Sequence, residues 1–150
     1  MDMDRWRATG RVGAVLSGLV LLAACGASGA PGALPLGRLT GTFSAGQGFG
    51  RVEPSRIFNG GDPTGLVSHI AWTSWGGATA VGTGISDYVG PDQTVAGGTE
   101  EPVTVVAFGV GTCGDRRMYR AVEWYFPHHG MTFDLHHYED ICTGTYVLSP

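Results

Sequence analysis

The chain has 150 residues, 43% hydrophobic and only 15% charged, which bounds it to one domain with or without extensions and excludes two catalytic domains. That composition is too apolar for a disordered chain and suffices for a modest core. Nine Arg, no Lys and thirteen acidic residues leave a formal charge of −4, which lacks the basic stripe of a nucleic-acid binder, so no nucleic-acid partner is expected.

Residues 1–11 carry Arg5, Arg7 and Arg11 against Asp2 and Asp4, a weakly positive leader once the amino terminus is included. Residues 12–25 then run without a charge. A helix needs about 20 apolar residues to cross the hydrocarbon core, so this shorter run fits an export signal better than a permanent span. It ends in Leu22-Ala23-Ala24-Cys25. These four residues resemble the lipobox of bacterial lipoproteins. The chemistry that the resemblance implies suits them: small side chains at 23 and 24 let the backbone lie extended in a peptidase groove, and a thiol is the soft nucleophile needed for a thioether to diacylglycerol. The resemblance implies that residues 1–24 are removed as a signal peptide. It also implies that Cys25 is lipidated, so that the chain is held on the outer face of the cell membrane by acyl chains worth about 0.8 kcal/mol per buried methylene. The alternative is an ordinary small-residue signal site with a bystander Cys, or an uncleaved apolar helix.

Residues 25–50 contain eight Gly, two Pro and one charged residue, Arg38, which reads as a flexible tether reaching roughly 25–30 Å. The folded domain is then expected over residues 51–150. Asn59, Gly60, Gly61, Asp62, Pro63, Thr64 and Gly65 form a dense cluster of turn residues. Alternation over residues 66–75 predicts a strand, with Gly76-Gly77 as a hairpin turn into a second strand over 78–89. In that register Trp75 faces Ala78, Trp72 faces Val81 and Ile70 faces Thr83. Residues 90–102 read as an exposed loop, in which Glu100 and Glu101 are adjacent solvated acids. Residues 103–112 and 118–126 predict a second hairpin. Beyond it, Asp134 is placed to cap a short helical segment over 135–141 before a closing strand over 145–148. The expected fold is all-β with minor α: a small antiparallel barrel or sandwich of two hairpins plus a short closing strand.

With Cys25 assigned to lipid, Cys113 and Cys142 remain as an even pair in an export compartment where disulfides persist, and a disulfide between them is expected. A reactive thiol or metal ligand is the alternative. Four of the five histidines, His128, His129, His136 and His137, fall within ten residues beside Asp134, Glu139 and Asp140, a composition that a zinc or copper site requires. Adjacent histidines diverge on either a strand or a helix, so at most one of each pair could join a single centre. No other cofactor is implied. Trp72 and Trp124 fall on faces assigned to the core, leaving Trp75, Tyr119 and Tyr125 as exterior rings able to stack on an envelope glycan or contact a protein partner. No GxSxG elbow or P-loop occurs, and Glu53, Glu123 and Asp134 cannot be paired across a cleft from sequence alone. The anchor motif, the Gly-rich tether, the absence of Lys and the paired Cys together resemble small secreted lipoproteins of high-GC Gram-positive bacteria. Residues 51–150 carry no motif of a characterised enzyme family. The reading is an extracytoplasmic binding or structural component of the envelope, with a His-dependent metal-binding protein as its alternative.

Overall fold

Runs of β-branched and aromatic residues broken by Gly-rich turns fold into seven strands in the computed structural model, which describes residues 33–37 and 46–148. The export segment, Cys25 and most of the expected tether lie outside the described residues. The strands are β1 (Ile57–Phe58), β2 (Leu66–Ser74), β3 (Ala80–Tyr88), β4 (Thr99–Cys113), β5 (Arg116–Tyr125), β6 (His137–Asp140) and β7 (Thr145–Leu148). Each pairs antiparallel with the next, giving one sequential meander curled into a half-barrel, as the sequence-local hairpins predict. Among the described residues helical structure is confined to three-residue 3-10 turns. The helix expected over 135–141 is therefore replaced by β6.

Small residues on the inner face of β3 set the tightness of the curl. A Cβ on Gly84 would lie 2.7 Å from Val67 Cγ1, and one on Gly82 would lie 3.1 Å from the Trp72 ring. Large side chains of β2 thus lie directly over bare backbone. The first-hairpin register holds at the far end, where Val67 faces Ser86 and Ser68 faces Ile85, but slips by one residue twice along β2. Trp72 consequently faces Gly82 rather than Val81. His69, at φ 53°, lies at the first slip, and the extra residue there turns both Val67 and Ile70 into the core.

The second hairpin keeps one register from Thr104↔Tyr125 to Cys113↔Arg116, leaving Gly114 and Asp115 as its two-residue turn. Gly114, at φ 64°, supplies the positive φ that such turns demand at their first central position. Pairing lapses only at Gly109 and Arg120, where Gly109 is also left-handed at φ 64°. One residue on each strand is skipped, so the register survives while the faces exchange. Val105 and Ala107 join the core, Phe108 packs outside, and Val110 packs against the core again. At its other end β4 starts at Thr99, so residues 99–102, read as loop, pair with Ile85–Tyr88.

The folded part also begins earlier than Arg51. Leu36 is fully buried and Leu34 is nearly so. Tyr119 N–H donates to Pro35 O (3.0 Å) and Gly37 N–H to Tyr119 O (2.8 Å), so this segment lies alongside β5. Leu36 N–H donates in turn to Arg51 O, and Gln47 pairs with Phe58 of β1. Backbone bonds therefore bridge the gap between the β5 and β1 edges. The Gly content that reads as a tether instead permits close backbone approach, since a Cβ on Gly37 would lie 2.7 Å from Tyr119 O.

The core collects Leu36, Ile57, Val67, Val103, Val105, Tyr119, Val122 and Ile141 inside the curl. A smaller cluster of Val106, Phe108 and Ala121 lies outside and is covered by Tyr125, Phe133 and Tyr138. Cys113 and Cys142 form the expected disulfide, which ties the tip of the long hairpin to the β6–β7 turn.

Candidate functional site

The end of β3, the start of β4 and the turn after β5 converge at one end of the sheet. Ser86 pairs with Glu101 and Tyr88 with Thr99, placing these residues at the same level of neighbouring strands. After Phe126, Pro127 opens a 3-10 turn that Gly130 ends in the left-handed region at φ 73°. The turn returns His129 over Tyr88. Their rings stack with centroids 3.5 Å apart and planes within 9°, and Phe126 meets Tyr88 edge-on at 5.0 Å. His129 Nε2 lies 2.8 Å from Glu101 Oε2, and this hydrogen bond holds the Glu101 carboxyl below its ordinary range.

Beside this stack lies a cleft of about 550 Å³, within the size range of small-molecule sites. Tyr88, Val89, Pro91, Phe126 and Met131 give it apolar walls, and Thr64 and Asp87 add the polar side chains. Asp62 shapes the near rim: its side chain accepts from Thr64 N–H at 2.9 Å and caps the 3-10 turn at residues 63–65. Gln93 Oε1 accepts from Gly90 N–H at 2.8 Å and fixes the opposite loop. The hydrogen bonds of His129 among the described residues involve Glu101 and the backbone, with no hydroxyl or thiol.

The four clustered histidines are not brought to one centre. His129 is engaged by Glu101, while His128 on the same turn is exposed. The exposed His136 donates its backbone N–H to Asp134 Oδ1 at 2.8 Å. His137 Nε2 lies 3.3 Å from the Tyr146 hydroxyl. Among the described residues no three His, Cys, Asp or Glu side chains gather as a metal site would need. Two of the three proposed exterior rings, Tyr119 and Trp75, turn toward the core, while Tyr125 stays on the outer face. Tyr119 is fully buried, its hydroxyl accepting from Gly76 N–H (2.8 Å) and donating to Gly77 O (3.0 Å). Trp75 packs against the core and donates Nε1–H to Leu34 O, and Tyr125 packs on the outer cluster. The face exchange at Gly109 and Arg120 explains Tyr119, and the β2 slips explain Trp75.

One buried carboxylate lies on β5 and another on β6. Glu123 is 4% exposed and accepts from Asp134 N–H at 3.0 and 3.3 Å. Burial pushes its pKa up to about 7, against the lowering effect of that N–H and with a further rise from the Asp134 charge. Glu139 is 6% exposed, its Oε2 has no hydrogen-bond partner among the described residues, and burial raises its pKa too. Burial and the charges of Glu123 and Glu139 raise the Tyr146 hydroxyl. Glu123 thus anchors the segment that covers β5 rather than facing an open cleft. Its position between Val122 and Trp124 in an apolar strand was the available sequence signal.

Comparison with protein-family models, curated proteins and solved structures finds no match to this chain. Function therefore has to be argued from its own residues. Of the site just described, His129 and Glu101 were named from sequence, and Asp62 and Thr64 as part of a turn; Tyr88, Phe126 and Met131 gave no separate signal.

Proposed function

We propose that this protein is a lipid-anchored extracytoplasmic binding module, held at the outer face of the cell membrane through Cys25, whose working site is the cleft between Tyr88, Phe126 and Met131. The observation that carries the binding role is that cleft, about 550 Å³ with mainly apolar walls and few polar groups. The address rests on Leu22-Ala23-Ala24-Cys25 closing the uncharged run, and the Cys113–Cys142 disulfide fits an oxidising compartment.

Cells expressing the full chain and fed a palmitate analogue test the address. Label is expected on the wild-type protein and lost in Cys25→Ser; undiminished label in the variant overturns the anchor. The binding role is tested on the anchored protein in zwitterionic nanodiscs, using benzyl alcohol, phenylacetate and benzyltrimethylammonium as probes. NMR shifts confined to Met131, Thr64 and Gly90 are expected with at least one probe. Shifts with none of them overturn the cleft as a working site.

A further inference from the structure

We propose that the C-terminal arm, residues 133–148, is an acid-latched flap: it lies closed on β5 while Glu123 and Glu139 carry protons, and lifts from β5 as they ionise. Its attachment is narrow. Two register pairs, Ala121↔Asp140 and Val122↔Glu139, join β6 to β5, with one further backbone bond from Ile141 N–H to Arg120 O at 2.8 Å. Both carboxylates stand at that junction, one on each face. Directly paired residues share a sheet face, so Glu139, opposite Val122, lies on the core side, and Glu123, opposite Val106, lies on the side of the outer cluster.

Neither carboxylate has a compensating cation, since the ion pairs among the described residues are Arg120–Asp140 and His129–Glu101. Glu123 is held to the arm by Asp134 N–H, whereas Glu139 Oε2 is buried with no hydrogen-bond partner among the described residues. The other ionisable groups at the junction are the Arg120–Asp140 pair, Asp134, the outer phenols of Tyr125 and Tyr138, Tyr146, which feels both carboxylate charges, and His137, whose Nε2 lies 3.3 Å from the Tyr146 hydroxyl. A charge confined there is costly, and lifting the arm returns it to water. Burial accordingly raises both carboxyl pKa values, that of Glu123 to about 7. Closure is therefore strongest below about 4.5 and weakens as pH rises toward 7, the open fraction growing about tenfold per pH unit for each proton released. The Cys113–Cys142 bond keeps the lifted arm tethered at the β6–β7 turn. Lifting takes Phe133 and Tyr138 off the Phe108 ring, which they meet edge-on at 5.1 and 5.2 Å, and uncovers Val106, Phe108 and Ala121 together with the β5 edge.

Native-state amide hydrogen exchange on the oxidised full-length chain tests the flap, from pH 5 to pH 7 at several low urea concentrations and with the intrinsic pH dependence of exchange removed. The Asp134 and Ile141 amides are expected to open more readily than those of the β3–β4 ladder, with little urea dependence, and their opening constant is expected to rise at least tenfold per pH unit. In the Glu123→Gln/Glu139→Gln variant the local opening should persist and its pH slope should vanish. Opening of Asp134 and Ile141 with the same constant and urea dependence as the β3–β4 ladder overturns the flap, because the chain would then open only as a whole. A local opening that is flat with pH in the wild-type protein overturns the acid latch without recourse to any variant. A slope that survives in the double variant overturns it too, because the proton would then belong to another group such as His137.

Discussion

Gly109, at φ 64°, lets β4 and β5 exchange faces while keeping their register, and this determines where Tyr119 points. Strict alternation places Tyr119 outside with Glu123 and Tyr125. The skipped residue on each strand puts it inside, where its hydroxyl ties the β2–β3 turn to β5. A left-handed glycine leaves no periodic mark in a sequence, so the exchange was not legible there. Glu123 is a second position where one residue carries a global consequence. Its ordinary pKa lies near 4.5 and its folded value near 7. Below the lower value both folded and unfolded states are protonated and burial costs nothing. Between the two values the folded state retains a proton that the unfolded state releases, so stability falls as pH rises. Above about 7 the loss is complete at about 3 kcal/mol, and Glu139 adds a contribution of the same sign. Glu123→Gln keeps an acceptor for Asp134 N–H and removes the charge. Urea unfolding from pH 4 to pH 8 should show a flatter profile and a more stable protein at pH 8 in the variant. An unchanged slope would mean that Glu123 is not the titrating group.

The C-terminal hairpin shows how the same ambiguity arises at the level of an element. Asp134 followed by a mixed polar and apolar run is a sound helix signal, yet Asp134 closes a local turn through His136 N–H, and His137–Asp140 forms a strand. The exposed backbone edge of β5 supplies the partner that favours the strand, through Ala121↔Asp140 and Val122↔Glu139, with Ile141 N–H donating to Arg120 O. Propensity over so few residues is weak, and tertiary pairing overrides it. Only two register pairs join β6 to β5, so the Cys113–Cys142 disulfide carries much of the attachment. Closing a loop across 29 residues contributes about 3–4 kcal/mol in the chain-entropy model. The Cys113→Ser/Cys142→Ser variant should lose stability of that order in urea unfolding. Its amides in residues 137–148 should also exchange hydrogen faster than those of β3 and β4. Uniform exchange across the sheet would show that the hairpin is held without the bridge.

At the scale of the whole molecule, the sheet is completed by a segment that composition assigns to a linker. Leu36 is fully buried and donates its N–H to Arg51 O, while its neighbours Pro35 and Gly37 bond to Tyr119 of β5, so the curl depends on residues remote in sequence from either edge. Leu36→Ala should cost about 2–5 kcal/mol, the range for truncating a buried leucine, in chemical denaturation of the full chain. A cost near zero would show that the N-terminal segment rests on the fold without supporting it. The cleft has the same dependence on assembly: Thr64, Tyr88, Phe126 and Met131 come from separate parts of the chain and meet only when the meander curls.

The sequence alone determined the antiparallel all-β architecture, because hairpins are local and alternation with Gly-rich turns encodes them directly. It also pointed to the pairing of Cys113 with Cys142, which the structure shows. The expectation of a lipid anchor rests on residues 22–25 and lies outside the described structure. Tertiary structure decided which aromatic rings are buried, where the folded part begins, and which side chains form the cleft. Those outcomes depend on bulges, left-handed glycines and edge pairing, each of which shifts a side chain by one position or joins distant segments. A single residue's skip reverses a face, and period-two reading has no term for it.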